Sequence, residues 1–100
     1  RVRELIRNDF KTAFATGDAI LTPTTSGPAF KIGEKSNDPV AMYLEDLFTI
    51  PANLAGIPAL SIPAGFVEEG SIKLPVGIQL IAPEFGENVL FSIGKDFENA

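Results

Sequence analysis

The stretch TIPANLAGIPALSIPAGF, residues 49–66, decides how this chain can fold. It is the densest apolar run of the sequence, and only three of its side chains are polar. Three prolines and two glycines interrupt it. Proline is rare inside a strand because it cannot donate a ladder hydrogen bond, so one plain buried strand does not explain the run.

The interruptions divide the run into two short elements. Pro51 is suited to open a short helix, and Gly56 is suited to end it. The remainder predicts a strand that is closed by Pro63 and Gly65. The run is therefore interpreted as scaffold that leads the chain from a helix into a sheet.

The residues just before this run predict a further helix. Asp38 is a good N-cap and Pro39 a good first helical residue, and the helix is expected to continue to about Phe48. Its apolar positions form one stripe, which we expect to be buried. The stripe consists of Val40, Leu44, Leu47 and Phe48. Thr49 and Asn53, which follow it, are interpreted as structural residues whose hydrogen bonds tie the bend.

The beginning of the chain predicts one helix, one strand and a long loop. Apolar residues recur at helical spacing through about Ala15, and Gly17 is suited to end this helix. Residues 19–22 predict a short buried strand, ended by Pro23. Residues 22–38 then show almost no periodicity, and a loop of this length in a compact domain is usually a binding loop or a lid.

The end of the chain predicts a hairpin and a last helix. The segments PALSIP and LPVGIQLIA are typical of strands, and Glu69-Gly70 between them predicts a turn, so we expect an antiparallel hairpin near residues 59–82. Residues 86–98 carry a helical apolar pattern, although Gly94 costs about 1 kcal/mol relative to Ala. The alternation of helices and strands indicates an α/β fold.

Length and composition indicate one small unit that is part of something larger. One hundred residues form at most one domain, and there is no cysteine to add a disulfide, which fits a reducing compartment without establishing one. No apolar run is long enough to span a bilayer, and the charged N-terminus is unlike a signal peptide. The chain opens at Arg1 inside an amphipathic pattern, and three strands are few for a sheet. We therefore expect residues 1–100 to be one fragment of a larger domain.

The charge distribution argues against broad contact with nucleic acid. The net charge is −5, and it is uneven, with +2 on residues 1–17 and −7 on residues 18–100. An acidic body does not suit a phosphate backbone. Four basic residues of the first helix are interpreted as a solvated face, with a local basic strip as the alternative. They are Arg1, Arg3, Arg7 and Lys11.

Most of the familiar catalytic patterns are missing. Without histidine or cysteine, the chain cannot by itself form a Ser-His-Asp or Cys-His nucleophile system, or the common zinc ligand sets. The segment GPAFKIGEKS misses the spacing of a phosphate-binding loop and puts Glu34 before Lys35. The S-x-x-K pattern from Ser92 to Lys95 has no partner motif and is interpreted as a solvated helix face.

The pair Glu45-Asp46 is the remaining candidate for chemistry. Neighbouring residues on a helix point about 100° apart, so the two carboxylates are not placed as an acid/base dyad. Two interpretations of Asp46 stay open on spacing alone. It is either a solvated carboxylate or a single anionic anchor for a cationic group of a ligand.

Longer motifs carry a resemblance to a known family. DAILTPTT, NLAGIPALSIPAGF and LPVGIQLI resemble the C-terminal part of the amidase signature family. PAFKIGE and DPVAMYLEDLFTIPANLAG are similar, within that family, to the A subunits of the glutamyl-tRNA(Gln)/aspartyl-tRNA(Asn) amidotransferases. The similarity extends over nearly the whole chain. It implies the C-terminal part of the amidase fold, a mixed sheet covered by helices.

The resemblance also implies a reaction and partners. Family members hydrolyse amides with a Ser–cis-Ser–Lys system, through an acyl-enzyme. In the A subunits the substrate is glutamine, and the ammonia passes to a B subunit that uses ATP and Mg²⁺ to convert Glu-tRNA(Gln) to Gln-tRNA(Gln). A C subunit braces the complex, tRNA is contacted mainly through the partner, and the location implied is the cytoplasm or an organelle matrix.

The resemblance assigns one residue of this chain to a site. Asp46 matches the family's substrate-binding aspartate in the MYxxD motif, which implies that it receives the α-ammonium of glutamine. No catalytic, cofactor-binding or metal-binding residue is implied here, and the triad is expected in upstream sequence, so the chain alone is predicted to be inactive. Two alternatives remain: a fragment of another amidase that acts on simple amides, and a non-catalytic packing or binding domain.

Overall fold

The computed structural model describes residues 2–33 and 38–99. It contains α1 (Val2–Phe14), β1 (Ile20–Pro23), α2 (Pro39–Glu45), α3 (Ile50–Ala55), β2 (Ala59–Glu69), β3 (Ile72–Ile81) and α4 (Glu87–Glu98). The strands form one antiparallel sheet in the order β1-β3-β2. The predicted α/β class and the predicted hairpin are therefore confirmed.

The hairpin is longer than the sequence predicts. The predicted strand end at Pro63 and Gly65 is wrong, because β2 continues to Glu69 and pairs with β3 as far as Ile72. A register shift between Pro63 and Gly65 absorbs the irregular residues. Since β2 is an edge of the described sheet, the missing N–H of Pro63 costs little there.

One face of the sheet is covered by α4 and contains the main core. Buried side chains from β2, β3 and α4 meet there, and partly buried ones surround them. The buried members are Ile62, Leu80, Ala82 and Leu90, and the partly buried ones are Leu60, Ile78 and Ile93. Gly94 is explained by close packing, because a Cβ at this position would lie 3.0 Å from Leu60 Cδ2.

The helices α1 and α3 pack against each other away from that core. Arg7 Nε donates a hydrogen bond of 3.0 Å to the carbonyl oxygen of Ala55, so Arg7 is not simply part of a solvated face. Arg1, which belongs to the predicted basic strip, lies outside the described residues. Gly56 ends α3 as predicted, with the left-handed φ of 70° that favours glycine.

Two predictions of burial are wrong. Along the predicted stripe, Val40, Leu44 and Leu47 are 68%, 44% and 41% exposed, and α2 ends at Glu45, before Leu47 and Phe48. An amphipathic stripe is buried only where another element faces it, and α2 is not among the packed pairs of described elements. In β1, burial alternates, and Leu21 is 63% exposed.

Candidate functional site

Asp46 lies where α2 ends and the chain turns toward α3. It is the C-cap residue of α2, with φ of −96° and ψ of 0°, and it is exposed. Its position follows from the sequence, because Asp38 caps the start of the helix with hydrogen bonds from the backbone N–H groups of Val40 and Ala41. A short helix with a fixed start therefore presents Asp46 at its end.

The backbone of Asp46 organises the connection between the two helices. Its carbonyl oxygen accepts hydrogen bonds from the N–H groups of Thr49 and Ile50 and from Thr49 Oγ1, each at 3.1 Å. Its own N–H donates to the carbonyl oxygen of Tyr43 at 3.0 Å. We call residues 46–50 the Asp46 turn. The structural role predicted for Thr49 is thus visible in a side-chain bond, whereas the role predicted for Asn53 stays a prediction.

The charges at the end of α2 suit a cationic ligand. The carbonyl end of a helix carries partial negative charge, which disfavours anionic side chains nearby. Here Asp46 stands at that end, and α2 has no basic residue in its last turn. Within the described parts of the chain, no hydrogen bond or ion pair engages the Asp46 carboxylate. A cation is the group whose binding would offset the negative charge of Asp46 at this helix end.

The structure adds Gln79, a residue that the sequence reasoning missed. Gln79 lies on β3, is only 4% exposed, and is the one buried polar or charged residue in the described part of the chain. Its Nε2 donates to the carbonyl oxygen of Phe48 at 2.8 Å and to Thr22 Oγ1 at 3.0 Å. The signal that could have found it was a single amide in the otherwise apolar strand segment VGIQLI.

Gln79 belongs to a row of polar side chains across the sheet. Thr22 on β1 and Ser61 on β2 stand opposite Gln79 in the strand register, and directly opposed residues share one face. Thr24 Oγ1 lies 2.8 Å from Ser61 Oγ and extends the row. We call these four residues, Thr22, Thr24, Ser61 and Gln79, the polar row. The Asp46 turn is therefore attached to this face through Gln79, and α4 covers the opposite face.

The long predicted loop lines a cavity, although Asp46 is not part of its wall. The cavity measures about 620 Å³ and lies between the described part of the loop, the tip of the hairpin and the end of α2. Its lining includes Phe30, Lys31, Glu45, Glu69 and Ile72. Residues 34–37 of the predicted binding loop, including Glu34 and Lys35 of the rejected phosphate motif, lie outside the described residues.

The other sequence candidates are not assembled into a site. Ser92 and Lys95 belong to α4, on the far side of the sheet from Asp46. Within residues 2–33 and 38–99, no group of three or more His, Cys, Asp or Glu side chains is placed to hold a metal ion. No described helix is long and apolar enough to cross a membrane.

Comparisons with known proteins agree with the resemblance seen in the sequence. The family model described as amidase matches residues 1–91. The chain is 56% identical, over 98 residues, to the A subunit of the glutamyl-tRNA(Gln) amidotransferase from Pseudomonas aeruginosa. It is 56% identical over 100 residues to the protein of the same name from Azotobacter vinelandii, and 55% identical over 98 residues to that of Pseudomonas syringae.

These matches cover nearly all of this chain but little of each relative. They include 98% to 100% of the chain and 19% to 20% of the Pseudomonas aeruginosa and Azotobacter vinelandii proteins. The chain thus spans about a fifth of the length of the curated relatives it matches.

Proposed function

This chain belongs to the amidase family, and on that premise we propose that it is a segment of the A subunit of a glutamine-dependent tRNA amidotransferase. The parent protein hydrolyses glutamine and supplies the ammonia that converts Glu-tRNA(Gln) to Gln-tRNA(Gln). The proposal is supported by the 55–56% identity to amidotransferase A subunits along nearly the full chain. Residues 1–100 contribute scaffold and one side of the glutamine site, and the nucleophile comes from elsewhere in the parent.

Asp46 is the proposed contact to the substrate. The carboxylate receives the α-ammonium of glutamine, and the observation that carries this role is its exposed position at the anionic end of α2. A charge-assisted hydrogen bond between ammonium and carboxylate is both strong and directional. It would fix the amino-acid end of glutamine and leave the side-chain amide free to reach the nucleophile.

The partners follow from the same proposal. A B subunit would receive the ammonia and bind ATP and Mg²⁺, a C subunit would brace the complex, and tRNA would be contacted mainly through the B subunit. The negative net charge of −5 is consistent with a chain that leaves most phosphate contact to its partner. The expected location is the cytoplasm, or an organelle matrix in a eukaryote.

The test is a glutaminase assay on the parent protein with Asp46→Ala and Asp46→Asn. Removing one partner of a charged pair that the bound substrate buries costs about 2–5 kcal/mol, so the KM for glutamine should rise about 30-fold or more. Asp96→Asn removes an exposed carboxylate of α4, which covers the other face of the sheet, and is the matched control, for which a change within about twofold is expected. An unchanged KM in both Asp46 variants would remove this residue from the site.

A second measurement separates glutamine binding from ammonia use. Tested in the complete complex, Asp46→Ala should lose amidation driven by glutamine but retain amidation driven by ammonium chloride, because free ammonia bypasses the glutaminase site. If both activities fell together, the effect would be on assembly rather than on the glutamine site.

Two other functions make different predictions. An amidase of simple amides would hydrolyse them without needing a carboxylate for an ammonium group, so Asp46→Ala would leave its KM unchanged. A packing or binding domain would belong to a parent without a lysine and a Gly/Ser-rich serine region, and that parent would hydrolyse no amide. On our proposal, residues 1–100 alone have no glutaminase activity, while the parent does.

A further inference from the structure

The starting observation is the fixed orientation of the Gln79 amide. A glutamine amide has two N–H donors, and both are used, one on the Phe48 carbonyl and one on Thr22 Oγ1. A carbonyl can only accept, so the nitrogen must face Phe48. The Thr22 hydroxyl donates its single hydrogen to the Pro23 carbonyl at 2.9 Å, so toward Gln79 it must accept. The polarity of this chain of hydrogen bonds allows one arrangement only.

The second observation is what this amide holds. Phe48 is the middle residue of the Asp46 turn, two positions after Asp46. The ends of the same turn are joined by the bonds from Thr49 and Ile50 to the Asp46 carbonyl oxygen. The turn is thus closed on itself by Asp46 and attached to the sheet through Phe48, which fixes where the end of α2 stands above β3.

The third observation concerns packing. The apolar stripe of α2 is largely exposed, so hydrophobic contacts among the described residues do little to hold this helix in place. An amide that is 4% exposed, by contrast, makes strong directional bonds because water competes poorly for its partners. Among the described contacts, the bond between Gln79 and Phe48 ties the Asp46 turn to the sheet.

We propose that Gln79 is a positioning residue for substrate recognition, acting through the Asp46 turn. By holding the Phe48 carbonyl against the sheet, it keeps the Asp46 carboxylate where the α-ammonium of the substrate arrives. This inference rests on the proposed role of Asp46. It adds a residue that would not touch the substrate and that sets how well the substrate is selected.

The test uses the parent protein with Gln79→Met, which keeps the length of the side chain and removes its donors. The KM for glutamine should rise about 10- to 100-fold with a smaller change in kcat, since a displacement of about 1 Å at a binding group costs this much. Glutaramate, which is glutamine without the α-amino group, is the second probe. Its KM should be unchanged, because it makes no bond to Asp46.

The control and the double variant distinguish positioning from general damage. Ser61→Ala removes a hydroxyl of the polar row that bonds Thr24 and not the Asp46 turn, and it should leave both KM values within about twofold. In an Asp46→Asn background, Gln79→Met should add nothing further to the KM for glutamine. An additional rise there, or an equal rise for glutaramate, would overturn the positioning role.

The failures of the two proposals are distinguishable. If Asp46→Asn leaves the KM for glutamine unchanged, the proposed function of Asp46 fails and this inference fails with it. If Asp46→Asn raises the KM and Gln79→Met does not, only the positioning role is overturned.

A milder variant covers the case in which Gln79→Met does not fold. Thr22→Val removes one of the two acceptors, lets the amide rotate, and should raise the KM for glutamine about 2- to 10-fold with no change for glutaramate. Amide hydrogen exchange of residues 46–50 should accelerate in the same variant while that of α4 stays constant. Unchanged exchange together with an unchanged KM would overturn the inference.

Discussion

The α4 helix and the Asp46 turn are attached to the two faces of the sheet by different contacts. On one face, α4 packs Leu90 against Ile62 and Leu80, and the contact is almost entirely apolar. On the other, the Asp46 turn is attached to the polar row by the hydrogen bonds of Gln79. Apolar burial is strong but tolerant of direction, whereas hydrogen bonds are modest in net energy but fix geometry.

This difference indicates a division of roles. The α4 face contains the cluster of buried apolar side chains described above, and the Gln79 amide determines where one exposed turn stands on the other face. A variant on the first face should therefore lower stability with little effect on substrate selection. Loss of the Gln79 donors on the second face should do the reverse.

The largest effect is expected for Leu90→Ala. Leu90 is 2% exposed in the centre of the core, and truncating such a side chain destabilises by about 2–5 kcal/mol. Hydrogen exchange of the α4 and β2 amides in the parent protein measures this loss of stability. The KM for glutamine should be unchanged in the protein that remains folded. Phe91→Ala, at a position 62% exposed on the same helix, is the control and should change little. Equal destabilisation by both would mean that Leu90 is not central.

Gly77→Val tests the other face through packing. A Cβ at Gly77 would lie 3.0 Å from Ser61 Oγ and 3.2 Å from Thr24 Oγ1, so a larger side chain must displace members of the polar row. Overpacking of this kind lowers the free energy of unfolding by about 1–3 kcal/mol. The loss should be measurable as faster hydrogen exchange of the β2 and β3 amides. Gly27→Val is the control, because nothing lies within 4 Å of an added Cβ there. If exchange were equally fast in both variants, the close approach at Gly77 would be unimportant.

Asp38→Ala tests the helix that presents Asp46. Loss of the N-cap bonds to Val40 and Ala41 should destabilise α2 by about 1 kcal/mol, measured as faster exchange of its amides. The same substitution at Asp18, in the bend between α1 and β1, removes a carboxylate without removing a helix cap. It should leave α2 unaffected, and an equal response from the two would assign the effect to charge rather than to capping.

Ser61→Ala should have the smallest effect on stability. The bond between Ser61 and Thr24 is 2.8 Å long but exposed, so water can replace it, and the expected loss is at or below about 0.5 kcal/mol. Thermal unfolding of the parent protein is the measurement. A loss of stability as large as that of Leu90→Ala would contradict the proposed difference between the two faces.

Local signals predicted the elements well. Asp38-Pro39 marked the start of α2, Gly56 marked the end of α3, and Glu69-Gly70 lay at the turn of the hairpin. Each depends on the chemistry of a few adjacent residues: a capping carboxylate, a fixed φ, or a tolerated positive φ. Such preferences act within one turn of backbone, so they can be read from the sequence alone.

Long-range features could not be read in the same way. Pro63 was expected to close β2, but pairing with β3 and a register shift carried the strand onward to Glu69. The stripe of α2 was expected to be buried, but burial depends on which element faces it. The partners of Gln79 lie 31 and 57 residues away, so only the folded chain brings Phe48 and Thr22 to this amide.

By itself, the sequence determined the kinds of elements, their order, the hairpin and the candidacy of Asp46. The tertiary structure decided which faces are covered and which polar groups meet, and it added Gln79 as the connection between the sheet and the Asp46 turn. The physical reason is the distance along the sequence over which each interaction acts. Capping and turn preferences are settled between neighbours, whereas burial and hydrogen bonding between distant residues depend on the whole arrangement of the sheet and its helices.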